Sequence, residues 1–237
     1  MKNYIIHVST DFEREEHIKK EIGKTSFDFI FINDGDKKDL SKDIVSRYFG
    51  GELIPVSGAT SCAYKHILVY KDMINSQVDY AIVLEDDIFL HKDFEKIVNK
   101  ILIEITERKL NNFLISLEES NLKYINGSER KKGILLYPRK HSRFTGAYIL
   151  DVECAKTIMN EIETYKCNKP IDWIHNIYGE RGLINVYWLH PTIAVQGSLN
   201  GKMKSEIDTR FKRGKNLFRQ ISFSLTKIYK KLLCKLR

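Results

Sequence analysis

The sequence is poor in the features that staple or anchor a chain. Its 237 residues include four cysteines, Cys62, Cys154, Cys167 and Cys234, with no C-x-x-C pair among them. That scatter argues against a disulfide framework or a cysteine zinc cluster and fits a reducing compartment. No apolar run is long enough to span a bilayer. The first apolar run, Tyr4 to Val8, is followed closely by Asp11, Glu13, Glu15 and Glu16, so no secretory signal is expected. There is no internal repeat, no low-complexity linker and no nucleic-acid reader motif. A positive surplus is also missing from most of the chain. Residues 1–201 hold 27 basic and 29 acidic side chains, whereas 202–237 hold 12 basic and 2 acidic, so the net charge of +8 belongs to the tail.

What is present is a globular composition, 43% hydrophobic and 30% charged, sufficient for a packed core. Tyr4 to Val8 reads as a buried strand, and Asp11 can cap a helix over Phe12 to Ile22. Phe27 to Ile32 reads as a second strand, ended by the turn residues Asn33-Asp34-Gly35-Asp36. Helices are expected over Leu40 to Phe49 and Thr60 to Ile74, the latter with Ala63, Ile67, Tyr70 and Ile74 inward. Another is expected over Phe94 to Arg108, and one capped by Asp151 runs to Ile162. Pro170 opens a short helix carrying Asp172 and Trp173. Further strands are expected at 112–117, 133–138, 144–150 and, interrupted by His190-Pro191, at 186–195. Strand–helix alternation of this kind implies an α/β fold with a mostly parallel central sheet. Residues 118–132 are polar and aperiodic and read as a long exposed loop that orders on substrate.

The tail repeats Leu217, Phe218, Ile221, Leu225, Ile228, Tyr229, Leu232, Leu233 and Leu236 at intervals of three and four, with Lys and Arg opposite. This is a basic amphipathic helix. It has the signature of an element lying on an anionic membrane, the bland alternative being a terminal helix packed on the domain or on a second subunit. The expected division is a domain over 1–210 and a membrane-associating tail over 211–237.

The stretch with most chemistry is Tyr80 to Leu90. An apolar run, Ala81-Ile82-Val83-Leu84, ends in Glu85-Asp86-Asp87, and apolar residues resume at once. Three acids inside a hydrophobic run cost too much to bury without a compensating cation. Glu85 and Asp87 have the spacing to face one cation, with Asp86 turned away or bonded to backbone. Hard oxygen ligands favour Mg²⁺ or Mn²⁺ over zinc, and such an ion keeps positions open for substrate phosphates. A diphosphate is the expected client.

Several motifs in order resemble glycosyltransferase family 25, the bacterial lipooligosaccharide galactosyltransferases and their collagen-modifying relatives. The block Gly58 to Leu90 places Cys62, His66 and Ile67 ahead of Leu84-Glu85-Asp86-Asp87 at the family's interval. Thr145-Gly146-Ala147-Tyr148, Asp172 after Pro170, His190-Pro191, Gln196 and Ser205-Glu206-Ile207 add further matches. Ala59, Ser61 and Lys65 depart from the family's Glu, Gly and Ser, which leaves the usual UDP-galactose preference open.

The resemblance implies a GT-A-type nucleotide-sugar-binding fold over most of 1–210, with a nucleotide-sugar donor and Mn²⁺ or Mg²⁺. On it, Glu85 and Asp87 are metal ligands and His190 completes the shell, unless His190 stacks on Pro191 in the core. His7, Val8, Ser9, Arg14, Lys65, His66, Asp86, Thr145 and Tyr148 become donor-site residues. His7, Arg14 and Tyr148 each keep a bland alternative, as core or solvated side chains. Bacterial members invert, which calls for a base at the acceptor hydroxyl. Asp172 is the candidate, its alternative being a helix cap. The implied function is transfer of a hexose, galactose from UDP-galactose first, to a lipooligosaccharide or other lipid-linked glycan. The implied place is cytoplasmic, peripheral on the inner membrane face, with no nucleic acid bound. A non-catalytic nucleotide-sugar binder and a Mg²⁺-dependent phosphohydrolase are the competing readings.

Overall fold

The computed structural model describes residues 1–203 and 217–237 of the chain. The Ser205-Glu206-Ile207 match and the first residues of the tail lie outside them.

The elements follow in this order: β1 (Lys2–Ile6), α1 (Phe12–Ile22), β2 (Ile30–Ile32), α2 (Lys42–Tyr48), α3 (Gly58–Asn75), β3 (Tyr80–Glu85), β4 (Ile88–Leu90), α4 (Phe94–Glu107), β5 (Phe113–Ser116), β6 (Leu136–Arg139), β7 (Ala147–Asp151), α5 (Val152–Tyr165), α6 (Ile171–Glu180), β8 (Asn185–Leu189), β9 (Ala194–Gln196), α7 (Gly197–Asn200) and α8 (Leu217–Leu236). Local chemistry sets many of the boundaries. The Asp11 side chain accepts from the Arg14 N–H at the start of α1, and Asp151 does the same for Cys154 in α5. Ser57 and Thr60 close a reciprocal box at the start of α3.

The main sheet has the order β2-β1-β3-β7-β5-β8-β6. Five of its strands run one way, and β7 and β6 run against them, so the sheet is mostly parallel as expected. The α/β layering expected from the resemblance is present. One detail departs from simple alternation: β7 is inserted antiparallel between β3 and β5. The direction reverses between β5 and β6, which no α-helix joins, and β6 and β7 then run the same way.

Side chains alternate across the sheet, and both faces are covered. Tyr4, Ile6, Val83, Leu114, Tyr148 and Leu150 pack with Tyr70 of α3 and Ile158 of α5. Ile5, Ile82, Leu84, Ile115 and Ile149 pack on the other face with Ile18 of α1 and Ile101 of α4. This is the pattern of central strands buried on both sides. A two-stranded antiparallel sheet, β4 with β9, sits beyond the end of β3.

The expectation of an exposed loop at 118–132 is corrected over 118–125, while Ser128, Glu129, Lys131 and Lys132 are exposed as expected. Glu118, Glu119, Ser120, Leu122, Tyr124 and Ile125 are all buried. Two long-range partners cover them. Arg143, itself fully buried, donates from Nε to the Lys123 carbonyl. From the other side, Lys227 and Lys231 of α8 pair with Glu119.

Helix α8 forms as its periodicity predicts, but it lies with its polar side inward. Lys231 also sits over the Tyr124 ring at 5.3 Å, and Gln220 donates to the Gly201 carbonyl at 3.1 Å. Ile221, Leu225, Ile228 and Leu232 are each at least half exposed. No described helix is long and apolar enough to cross a membrane.

Candidate active site

The carboxyl ends of β1, β3 and β5 share one edge of the sheet, and the antiparallel β7 begins there. Register brings Leu84 opposite Ala147, so Thr145 and Gly146 meet the end of β3. In open α/β sheets this edge is where ligands bind. A cavity of about 310 Å³ opens on it. Its walls include His7, Val8 and Arg14 after β1, Asp36 after β2, Cys62 from the first turns of α3, and Glu85 with Asp86.

The three adjacent acids have different environments. Asp86 accepts from Arg14 at 2.6 Å on one oxygen, and from His7 Nδ1 at 2.9 Å and the Val8 N–H at 3.4 Å on the other. Burial works against its charge, but His7 and Arg14 outweigh that and hold the carboxyl below its ordinary range. Part of the cation called for by the sequence is therefore internal: it is Arg14, which also comes within 3.9 Å of Asp87.

Glu85 accepts from Thr145 Oγ1 at 2.9 Å and from Gln196 Nε2 at 3.0 Å. The second bond explains Gly146, where a Cβ would fall 2.5 Å from Gln196 Cγ. Asp87 accepts from the Ser198 N–H at 2.9 Å, and its Oδ1 is buried without a hydrogen-bond partner among the described residues. Burial raises the carboxyls of both Glu85 and Asp87, and the neighbouring acids raise them further.

The expected division of labour is thus revised. Asp86 bonds backbone at Val8, one of its two expected placements, but it also lines the cavity beside Glu85, whereas Asp87 is fully buried and outside that wall. A divalent cation still fits this donor set. Glu85 and Asp87 are the two acids left short of positive charge, and Asp87 Oδ1 is a buried acceptor without a donor.

His190 does not join them. Its ring stands edge-on to Tyr137, and its charged neighbours are Arg130, Arg143 and Lys231, which together with burial lower it to about 4. The one described group of three metal-capable side chains is Cys62, His66 and Glu85. His190 follows a strand end on the far side of β5, so the shell expected of it is not formed.

Two donor-site expectations are also corrected. Lys65 borders the cavity, but its ammonium reaches the Ile32, Asn33 and Asp34 carbonyls at 3.0–3.1 Å and pairs with Asp36 at 3.0 Å. Three donors facing four acceptors leave no N–H free to bond a diphosphate. Asp36 in turn holds both the N–H and hydroxyl of Ser9. Tyr148 is fully buried and acts through His66: its hydroxyl meets His66 Nδ1 at 2.7 Å and Tyr70 at 3.1 Å. His66 presents its other nitrogen to Glu85 at 3.9 Å.

Asp172 is half-buried at the start of α6. Burial raises its carboxyl, and the charge of Glu85 raises it further. It also acts, with Glu85, on the thiol of Cys62. Asp172 is therefore within electrostatic reach of Glu85 and Cys62, although 87 positions separate it from Glu85 in the chain.

Sequence reasoning missed Glu118. It is fully buried two residues beyond the end of β5 at Ser116, and its Oε1 accepts from the Gly146 N–H at 2.8 Å. Burial pushes it up to about 8, and the charges of Glu85 and Asp87 contribute. The available signal was its position: an acid just past a buried strand, as in Glu85.

The model of glycosyltransferase family 25, described as an LPS biosynthesis family, matches residues 1–175. The chain belongs to glycosyltransferase family 25. That membership makes it a glycosyltransferase. Among family relatives, the lipooligosaccharide biosynthesis protein lic2B of Haemophilus influenzae is 24% identical over 230 residues, covering 87% of this chain and 82% of that protein. The lacto-N-neotetraose biosynthesis glycosyltransferase LgtE of Neisseria meningitidis serogroup B is 23% identical over 215 residues, covering 83% and 74%. Among solved structures, S. aureus TarS 1-349 aligns with a TM-score of 0.47 at 12% identity, covering 95% of this chain and 73% of that one.

Proposed function

We propose that this family 25 member is a metal-dependent, inverting enzyme. It transfers a hexose, galactose from UDP-galactose first, to a lipooligosaccharide or another lipid-linked glycan. The observation that carries the reading is one cavity at the carboxyl end of the sheet whose wall holds Glu85, Asp86 and Arg14. The names of lic2B and LgtE support a glycan acceptor.

In this reading the nucleotide lies along His7, Val8 and Ser9, with Arg14 fixed by Asp86 at the diphosphate end. Glu85 and Asp87 hold Mn²⁺ or Mg²⁺, which when bound neutralises the diphosphate so that no general acid is needed. Thr145, Gln196 and His66 fix the Glu85 side chain. Asp172 takes the proton of the acceptor hydroxyl, whose oxygen bonds to the anomeric carbon as the bond to the diphosphate breaks on the opposite face. A carboxyl raised by burial is a better base for this step than an ordinary aspartate. Asp172→Asn is expected to keep donor-dependent thermal stabilisation while transfer falls by about 10²- to 10⁴-fold. Retained transfer would remove Asp172 from the role.

The reading also places the enzyme on the inner face of the cytoplasmic membrane through α8. Its support is the solvent-facing stripe of Ile221, Leu225, Ile228 and Leu232 in a segment rich in Lys and Arg. Replacing these four by Ser leaves the lysine contacts to Glu119 in place and is expected to abolish sedimentation with anionic vesicles. Unchanged sedimentation would exclude the helix as the anchor.

A further inference from the structure

Cys62 and His66 are four residues apart on α3, a spacing that puts them on one face of the helix. That face looks at the end of β3. A sulfur of Cys62, a ring nitrogen of His66 and a carboxylate oxygen of Glu85 all lie within 4.8 Å of one another. The His66 nitrogen is Nε2, 3.9 Å from Glu85 Oε1. It is buried and has no hydrogen-bond partner among the described residues.

The arrangement behind His66 fits a ligand rather than a filler. Its Nδ1 is engaged by the Tyr148 hydroxyl at 2.7 Å, and Tyr148 continues through Tyr70 to His175 Nε2. Such an outer contact fixes the tautomer and aims the free nitrogen, as it does behind metal-bound histidines. The ring is also neutral at physiological pH, since burial lowers it to about 3. Cys62 and Glu85 line the cavity, which gives an ion a way in and leaves room for a fourth ligand.

We propose that Cys62, His66 and Glu85 form a binding site for a thiophilic divalent ion of the zinc class. One sulfur, one imidazole nitrogen and one carboxylate oxygen are a zinc-type donor set with an open fourth position. Ligand atoms around tetrahedral zinc lie about 3–4 Å apart, so closure by about 1 Å completes the shell. Binding converts the thiol to thiolate and releases its proton to solvent. The site shares Glu85 with the hard-cation pair Glu85 and Asp87, so the two ions exclude one another. A zinc-class ion then occupies the wall of the cavity and acts as an inhibitor of whatever uses it. The binding claim does not rest on the transfer reaction.

Cobalt(II) tests this directly, because a thiolate bound to it gives a charge-transfer absorption that oxygen ligands do not. Titrating the full chain with Co²⁺ is expected to develop this band to one ion per chain. Zn²⁺ should remove it, and about a hundredfold excess of Mg²⁺ should not. Cys62→Ser and Cys62→Ala should both lose the band, whereas Cys154→Ser and Cys234→Ser should keep it. Glu85→Gln should weaken cobalt binding at least tenfold. The two replacements at Cys62 guard against one of them failing to fold, and thermal melting of each checks that it has folded. No band in the native chain, or a band that survives in either Cys62 variant, would overturn the proposal.

Discussion

Asp86 and Glu118 are both buried carboxylates at the same edge of the sheet, yet they differ in charge. Asp86 touches Arg14 and His7 and is held ionised. Glu118 Oε1 meets backbone N–H groups of Gly146 and Ala147, and its raised value of about 8 keeps it protonated near neutrality. The contrast repeats within one dipeptide. Glu119, next to Glu118, is held low because Lys227 and Lys231 outweigh its burial. Burial alone does not set the charge; a cation within hydrogen-bond reach does. Glu85 and Asp87 fall on the Glu118 side of the comparison. They are raised, and the described cationic contact to this pair is a long one, Arg14 at 3.9 Å from Asp87. The protein is thus short of positive charge at the two acids assigned to an outside cation, and supplied with it at their neighbour.

The largest break in this comparison comes from removing the internal cation. Arg14→Ala leaves Asp86 buried with His7 and one backbone N–H. Losing one partner of a buried ion pair costs about 3–5 kcal/mol. Urea unfolding should show that loss, and a change below about 1 kcal/mol would mean that the remaining contacts suffice.

Glu118 gives a smaller effect with a defined pH dependence. Its folded value lies above its ordinary 4.5. Between about 4.5 and about 8 the native chain therefore holds a proton that the unfolded chain has released. Its contribution to stability is full below that window and is lost as pH rises through it. Glu118→Gln imitates the protonated form, so its melting temperature should fall less steeply than the native one across this range. Equal slopes would show that Glu118 is ionised throughout.

Much of this edge was readable in the sequence. Glu85-Asp86-Asp87 stood out because apolar residues flank it on both sides, and Asp11, Asp151 and Pro170 marked helix starts correctly. What escaped depends on partners far along the chain. Residues 118–125 look like a solvated loop because their cover comes from Arg143 and from lysines more than a hundred positions later. Lys65 announces a positive charge, but only packing of α3 against the end of β2 shows which carbonyls take it. The direction of β6 and β7 was hidden as well, since no α-helix follows β5 to dictate a crossover. In α8 the amphipathic period was plain, and which side faces the domain was not.

The claim at the centre is that Glu85 and Asp87 wait for a cation that arrives with a nucleotide diphosphate. Thermal stability measured against uridine, cytidine and guanosine sugars, with and without Mn²⁺, tests it most directly. A cognate donor at a hundredfold its dissociation constant should add about 2.7 kcal/mol. That gain should require Mn²⁺ and should vanish in Asp87→Asn, whose metal-free stability should change by less than about 1 kcal/mol. A gain of the same size without metal, or in Asp87→Asn, would contradict the account, as would no response to any of these sugars.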